Sequence, residues 1–336
     1  MLNTPFSDLQ TSEAHCFLCG TLASAITQEH VFPKWIQQRY DLWNQRISLL
    51  NDTQIQYRNL RVPCCATCNN EDLSGLETAV SSAVDSGYEA CLMLDERIWY
   101  LWVGKIFYGL LRKEISLLRD RARPSEGSIM PAATLKSFSN LHLFLQGIRE
   151  RHLFPSDPPY SVLICNLHDL GHPLHYCFRD NSVYMTAAIR MGNVGVIVAF
   201  EDAGLTTGSF GRYVSEVNGR KLHPIQFDEL YAKVTYQVSL IEGGVKYITS
   251  KVASEQHPAQ TVVIRGSHLR DWSQEDFSQV LRTHISAWLS SKGEDTQWFV
   301  QPNLVPSWMF NDTGKLLLQP LSSWENRSEL KGSGSD

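Results

Sequence analysis

The chain has 336 residues, 30 Lys and Arg against 35 Asp and Glu, and a formal net charge of −5. That length allows a sizeable core and two or three domains, while the acidic balance excludes a global basic footprint, so any contact with nucleic acid must be local. Eight cysteines over this length are no disulfide scaffold, and neither a basic–apolar leader nor a run of about eighteen apolar residues is present, so we expect a cytoplasmic protein with no membrane partner.

The first chemistry along the chain is a frame of cysteines. Cys16-x-x-Cys19 is followed by Glu29-His30-Val31-Phe32-Pro33-Lys34-Trp35, and later by Cys65-x-x-Cys68-Asn69. Two Cys-x-x-Cys knuckles a few tens of residues apart can set four thiolates tetrahedrally around one structural zinc ion. Four thiolates leave no open coordination position, so this metal is a staple rather than a catalyst. A staple alone needs neither Glu29 nor His30 nor Asn69, yet the frame brings a carboxylate, an imidazole and an amide onto one support. Cys64, beside the second knuckle, reads as a spare thiol.

This frame, over residues 14–80, resembles the HNH (His-Me finger, ββα-metal) endonucleases, and among them the four-cysteine, endonuclease VII-like branch. The matching residues are Cys16, Cys19, Glu29, His30, Pro33, Cys65, Cys68 and Asn69. The resemblance implies a zinc-stapled ββα-metal, treble-clef-like finger that hydrolyses phosphodiester bonds. By position, Glu29 and Asn69 would hold a catalytic Mg²⁺ or Mn²⁺ ion and His30 would be the general base. The family's acid is usually aspartate, and glutamate reaches one methylene further. Asn59 is the best match for the family's middle asparagine, though its spacing to Cys65 is one residue long. Asp72 and Glu77, three and eight residues after Asn69, share its face if a helix starts there. They either complete the metal shell or offset the helix dipole. Lys34 reads as a phosphate contact or a solvated charge.

Residues 76–123 read as helical, with apolar residues at Ile98, Trp102, Ile106, Leu110 and Leu117 near one face. Arg97, Lys105, Arg112, Arg119 and Arg123 recur about every seven residues, and residues 97–123 hold seven Lys and Arg against Glu114 and Asp120. Such a stripe can follow a phosphate backbone, with Arg112, Arg119 and Arg123 as contacts, or it can be a solvated face. A second helix is expected over about 133–150.

Pro155-Ser156-Asp157-Pro158-Pro159 marks the best boundary. Beyond it, strands are predicted over 161–166, 175–179, 183–190 and 194–200, with hairpin turns at 180–182 and 192–193. A short helix over 226–232, a further hairpin of 234–241 with 245–251, and a last helix over 273–290 capped by Ser273 complete the pattern. His168, His172 and His175 read as a polar inter-strand loop, because they lack the fixed spacing of metal motifs. The expected class is α+β: a nuclease finger over 1–80, a helical segment over 81–154, a β-rich antiparallel domain of unassigned role over 155–321, and a mobile tail over 322–336.

The sequence thus predicts an endonuclease acting on nucleic acid, double-stranded DNA first, in a setting such as restriction or anti-phage defence that the resemblance suggests. The alternative is a catalytically silent, zinc-stapled module that binds nucleic acid or protein.

Overall fold

A computed structural model describes residues 14–22, 26–155, 157–210, 216–243, 245–250, 258–266, 268–290, 307–311 and 315–317. The fold is mixed α+β. Strand β1 (Ile26–His30) leads into α1 (Lys34–Arg39), and the short hairpin of β2 (Arg46–Ser48) and β3 (Gln54–Gln56) follows. Strand β4 (Arg61–Cys65) then returns antiparallel to β1, in a register that sets Ile26 beside Cys65 and His30 beside Arg61. A π-helical turn over Cys68–Leu73 runs directly into α2 (Ser74–Ser86). Gly87 breaks the helix with a φ of 94°, a conformation that costs a residue without Cβ little, and α3 (Tyr88–Met93) follows.

Helix α4 (Glu96–Ser116) is the centre of the molecule. Asp95 caps it by accepting from the Arg97 backbone N–H at 2.8 Å. Trp99, Trp102, Ile106, Phe107 and Tyr108 are all buried, and the helix packs on α2, β4 and a five-stranded sheet. It stops at Ser116, short of the 123 that composition suggested. The second expected helix is α5 (Ser139–Leu145), flanked by 3₁₀ turns at Ala132–Phe138 and Gln146–Arg149.

After the short β5 (His152–Leu153) come β6 (Ser161–Leu167), β7 (Tyr176–Asn181), β8 (Thr186–Met191) and β9 (Val194–Ala199), close to the predicted strands. Helix α6 (Leu205–Ser209) leads towards β10 (Lys221–Leu222), which completes a sheet ordered β10-β6-β9-β8-β7. All its pairings are antiparallel except β10 with β6. Helix α7 (Pro224–Ser239) covers this sheet and overturns the strand expected over 234–241. His223 opens the helix with a capping box, accepting from the Ile225 N–H while Gln226 accepts from the His223 N–H. Burial on nearly every side hides the helical period that would have marked it.

The short β11 (Ile241–Glu242), β12 (Val245–Thr249), β13 (Ala259–Arg265) and β14 (His268–Leu269) precede α8 (Gln274–Ser290). Ser273 accepts from the Asp276 N–H, as its capping role requires. The tail expected from 322 lies outside the described residues. One apolar cluster runs from Cys16 to Phe200 and includes Val31, Trp102, Tyr160 and Val196, so residues on both sides of the 155–159 stretch share a core. Among the described residues, no helix is long and apolar enough to cross a membrane.

Gly195 shows how closely α7 approaches the sheet: a Cβ there would lie 2.5 Å from the Phe227 ring and 2.8 Å from Leu167 Cδ1. Gly195→Ala should therefore cost about 1–3 kcal/mol through overpacking, read as a lower urea midpoint at unchanged slope.

Candidate metal centre and histidine cleft

The first knuckle closes through its own backbone: the Gly20 N–H reaches Cys16 O at 2.9 Å and the Cys16 N–H reaches Thr21 O at 3.1 Å. It is tied to β4 by the Phe17 N–H donating to Pro63 O at 2.8 Å, and to α5 through its carbonyls. His142 Nε2 lies 3.1 Å from Phe17 O, and Gln146 Nε2 donates to Leu18 O at 2.8 Å. The second knuckle spans the end of β4 and the start of the π-helical turn.

The sulfurs of Cys16, Cys19, Cys65 and Cys68 consequently gather within 4.8 Å of one another. Zinc–sulfur bonds of about 2.3 Å imply tetrahedral edges of about 3.8 Å, and Cys19 Sγ and Cys65 Sγ stand 3.8 Å apart. Hydrogen bonding among the crowded thiols of Cys19, Cys64 and Cys68 pushes Cys16 far below the usual thiol range. The same sharing with Cys16, together with burial, pushes Cys64 and Cys68 far above it. A divalent ion removes this conflict by holding all four ligands as thiolates. The residues fit a structural zinc. Cys64, whose Sγ lies 3.8 Å from Cys16 Sγ, stands beside the cluster, as expected.

At the other end of the β1–β4 pairing lies a polar cleft of about 740 Å³. Glu29, His30, Lys34, Arg61, Asn69 and Glu77 all line it, with Trp35 and Trp43 among its walls. His30 is buried to 6% exposure and its ring lies 5.9 Å from that of Trp43. Burial first, then the positive charges of Arg61 and Lys34, lower its pKa to about 4, so the ring is neutral at neutral pH. Gln37 sets the tautomer. Its Nε2 donates to Phe32 O at 2.7 Å, which fixes the amide's orientation, and the same nitrogen lies 3.2 Å from His30 Nδ1. Nδ1 is then the acceptor, and Nε2 carries the ring proton.

The carboxylates are arranged differently from the expectation. Lys105, fully buried on α4, donates from Nζ to Glu29 Oε1 at 2.6 Å, Glu77 Oε1 at 2.8 Å and His30 O at 2.8 Å. Burial opposes the charged ammonium, but Glu29 and Glu77 outweigh it and hold its pKa above the usual lysine value. The Glu77 carboxyl is raised, by burial first, against the pull of Lys105. Asn69 donates to Thr27 Oγ1 at 2.8 Å. Asp72 faces Arg149 instead, at 3.9 Å, and is not among the cleft residues. The π-helical turn widens the spiral between Asn69 and Asp72, so an i,i+3 face no longer holds there. Asn59 lies outside the cleft, in the turn before β4, where it donates to Gln56 Oε1 at 3.4 Å.

The cationic stripe dissolves. Lys105 and Arg112 (2% exposed) point into the core, and Arg97 donates to the carbonyls of Gly147 and His152. Arg112 is therefore no phosphate contact. Arg119 and Arg123 lie beyond the helix, Arg123 paired with Asp120 and Glu126. In the second half, His175 Nε2 lies 3.4 Å from Tyr40 O and its ring meets that of His172 edge-on. Among the described residues, only the four cysteines gather as metal ligands. Sequence reasoning missed Lys105, Gln37 and Trp43. A lone lysine in the apolar run Val103-Gly104-Lys105-Ile106-Phe107 was the one available signal.

No family model, curated protein or solved structure matches this chain.

Two outcomes follow from this geometry. The purified protein should carry one zinc per chain by elemental analysis, and Cys68→Ala should lose it together with more than about 4 kcal/mol of stability. Acid should weaken the fold as well. Burial lowers His30, His142 and His152 to about 4, whereas an unfolded histidine titrates near ~6.5. Between those values the unfolded chain binds protons that the folded one refuses. Their contribution is therefore complete above ~6.5 and is lost as pH falls towards 4. Imidazole resonances titrating near 4, with a urea midpoint that falls across this window, are the expected result.

Proposed function

We propose that the cleft binds a phosphodiester of nucleic acid and hydrolyses it with His30 as the proton-transferring residue. One observation carries this reading: a neutral, half-enclosed imidazole shares a polar cleft with Arg61, directly across the strand pair, and Lys34, one turn along. Those cations suit the non-bridging phosphate oxygens and the charge that grows on them. Trp43 offers a flat apolar face of the kind that bases stack on. Support also comes from element order. Two antiparallel strands lead into a helix, the histidine ends the first strand, and the last knuckle sits at the strand–helix junction. The HNH resemblance implied that order, and it makes duplex DNA the first substrate to test.

His30 takes a proton from water only as its Nδ1–H tautomer, because Nε2 must then be bare. That tautomer requires the Gln37 amide to turn over, at the cost of its 2.7 Å hydrogen bond to Phe32 O, so that Oε1 receives the Nδ1–H. In the resting tautomer Nε2–H donates a hydrogen bond to a bound phosphate. In the Nδ1–H tautomer, water's proton passes to Nε2 as the P–O bond to the attacking oxygen forms; the opposite P–O bond breaks, its oxygen takes a proton from solvent water, and the imidazolium returns its own proton to solvent.

A second reading, binding without hydrolysis, is favoured by Lys105 lying on the two carboxylates that the resemblance gives to a metal. One experiment separates them. Supercoiled plasmid and end-labelled RNA are incubated with wild type and His30→Ala, with and without Mg²⁺ or Mn²⁺, alongside salt-dependent binding by anisotropy. Cleavage that drops about 10²–10⁴-fold in His30→Ala supports hydrolysis. Binding without any cleavage selects the second reading, and absence of both ends the nucleic-acid assignment.

A further inference from the structure

Each of the four residues that the resemblance would give a divalent ion already has a cation or a hydrogen-bond partner. Glu29 and Glu77 share the Lys105 ammonium at 2.6 and 2.8 Å. Asn69 is turned by its bond to Thr27, and Asp72 looks towards Arg149. Mg²⁺ demands near-octahedral oxygens at about 2.0–2.1 Å and gives up its water reluctantly. A fixed ammonium between the two carboxylates denies it that shell, so the residues do not fit the ion that the resemblance implied.

Lys105 has no route out of the way. It is fully buried on α4, and its three N–H groups reach Glu29, Glu77 and His30 O, with Val31 O a further acceptor at 3.3 Å. Removing a buried ammonium from such a set strands two carboxylates against each other.

We propose that Lys105 is the resident cation of this cleft: its ammonium, in place of a dissociable divalent ion, pairs with both Glu29 and Glu77 behind His30. The positive charge presented to a phosphate then comes from Lys34 and Arg61. The proposal rests on the phosphodiester reading only for the identity of the anion, and its test needs no substrate.

The test is Mn²⁺ binding to the full-length, zinc-loaded protein, followed by the loss of the free-ion signal in electron paramagnetic resonance. Wild type should bind no Mn²⁺ below about 1 mM. Lys105→Met empties the position and should tighten Mn²⁺ binding at least about tenfold, a gain that Lys105→Met/Glu77→Gln should lose. Wild-type binding that Glu29→Gln removes would overturn the proposal, as would a folded Lys105→Met that binds no better than wild type. If Lys105→Met does not fold, the wild-type and Glu29→Gln pair still decides. A wild type that cuts nothing and binds no Mn²⁺ fails the hydrolytic reading alone, whereas a wild type that cuts and holds Mn²⁺ on Glu29 fails this proposal alone.

Discussion

The contact between Lys105 and the end of β1 is where the architecture and the chemistry of this protein meet. A buried ammonium is tolerated only where its hydrogen bonds and charge are fully answered. Here Glu29, Glu77 and the His30 carbonyl answer them from two separate elements. The helix that carries Lys105 is also the helix on which the core is built. Any displacement of β1 or α2 against α4 would uncover that charge, so the histidine and both carboxylates inherit the rigidity of the core.

The sulfur cluster performs the complementary task at the far end of the same strand pair. Ile26 lies beside Cys65, and His30 beside Arg61, so Cys65 and His30 stand at ends of the ribbon four strand residues, about 13 Å, apart. One end is fixed by four sulfurs and the other by an ammonium. A two-stranded ribbon is marginal by itself, and a ribbon pinned at both ends can present a side chain to a cleft with little freedom. The knuckle's carbonyls are held in turn by His142 and Gln146 of the segment after α4. The metal site is thus tied to the core by the shell that orients it.

Legibility in the sequence followed the length scale of the interaction. The cysteine clamp could be read because two fixed spacings suffice to place four sulfurs, and Glu29, His30 and Asn69 stood out because a sulfur clamp has no use for them. Hairpin turns at Asp180-Asn181-Ser182 and Gly192-Asn193 and the Ser273 cap were local in the same sense, each set by a few adjacent residues. What could not be read depended on distant partners or on a broken period. Lys105 looked like one member of a stripe because heptad-like spacing says nothing of what lies opposite, and its partner Glu29 is 76 positions away. Asp72 was assigned to the wrong face because a π-helical turn is not written in propensities. Residues 234–239 alternate apolar and polar like a strand, yet they continue a helix whose cap lies eleven residues earlier, at His223.

Charge placement explains how an acidic chain can set two cations beside one histidine. The local excess of Lys and Arg along 97–123 contributes little at the surface, since Lys105 and Arg112 are buried and Arg123 is paired with Asp120 and Glu126. The charge that matters is carried instead by Lys34 and Arg61, whose fields are felt directly by His30. Glutamate at position 29, where the resembled nucleases usually have aspartate, belongs to the same arrangement. Its carboxylate must reach back from the strand to a lysine on the helix behind, and Lys105 Nζ lies only 2.6 Å from Oε1. An aspartate would fall one methylene short and leave the ammonium with Glu77 as its sole carboxylate. The longer acid and the buried lysine therefore form one feature: the Glu29 carboxylate reaches the helix behind the cleft and is held there by Lys105.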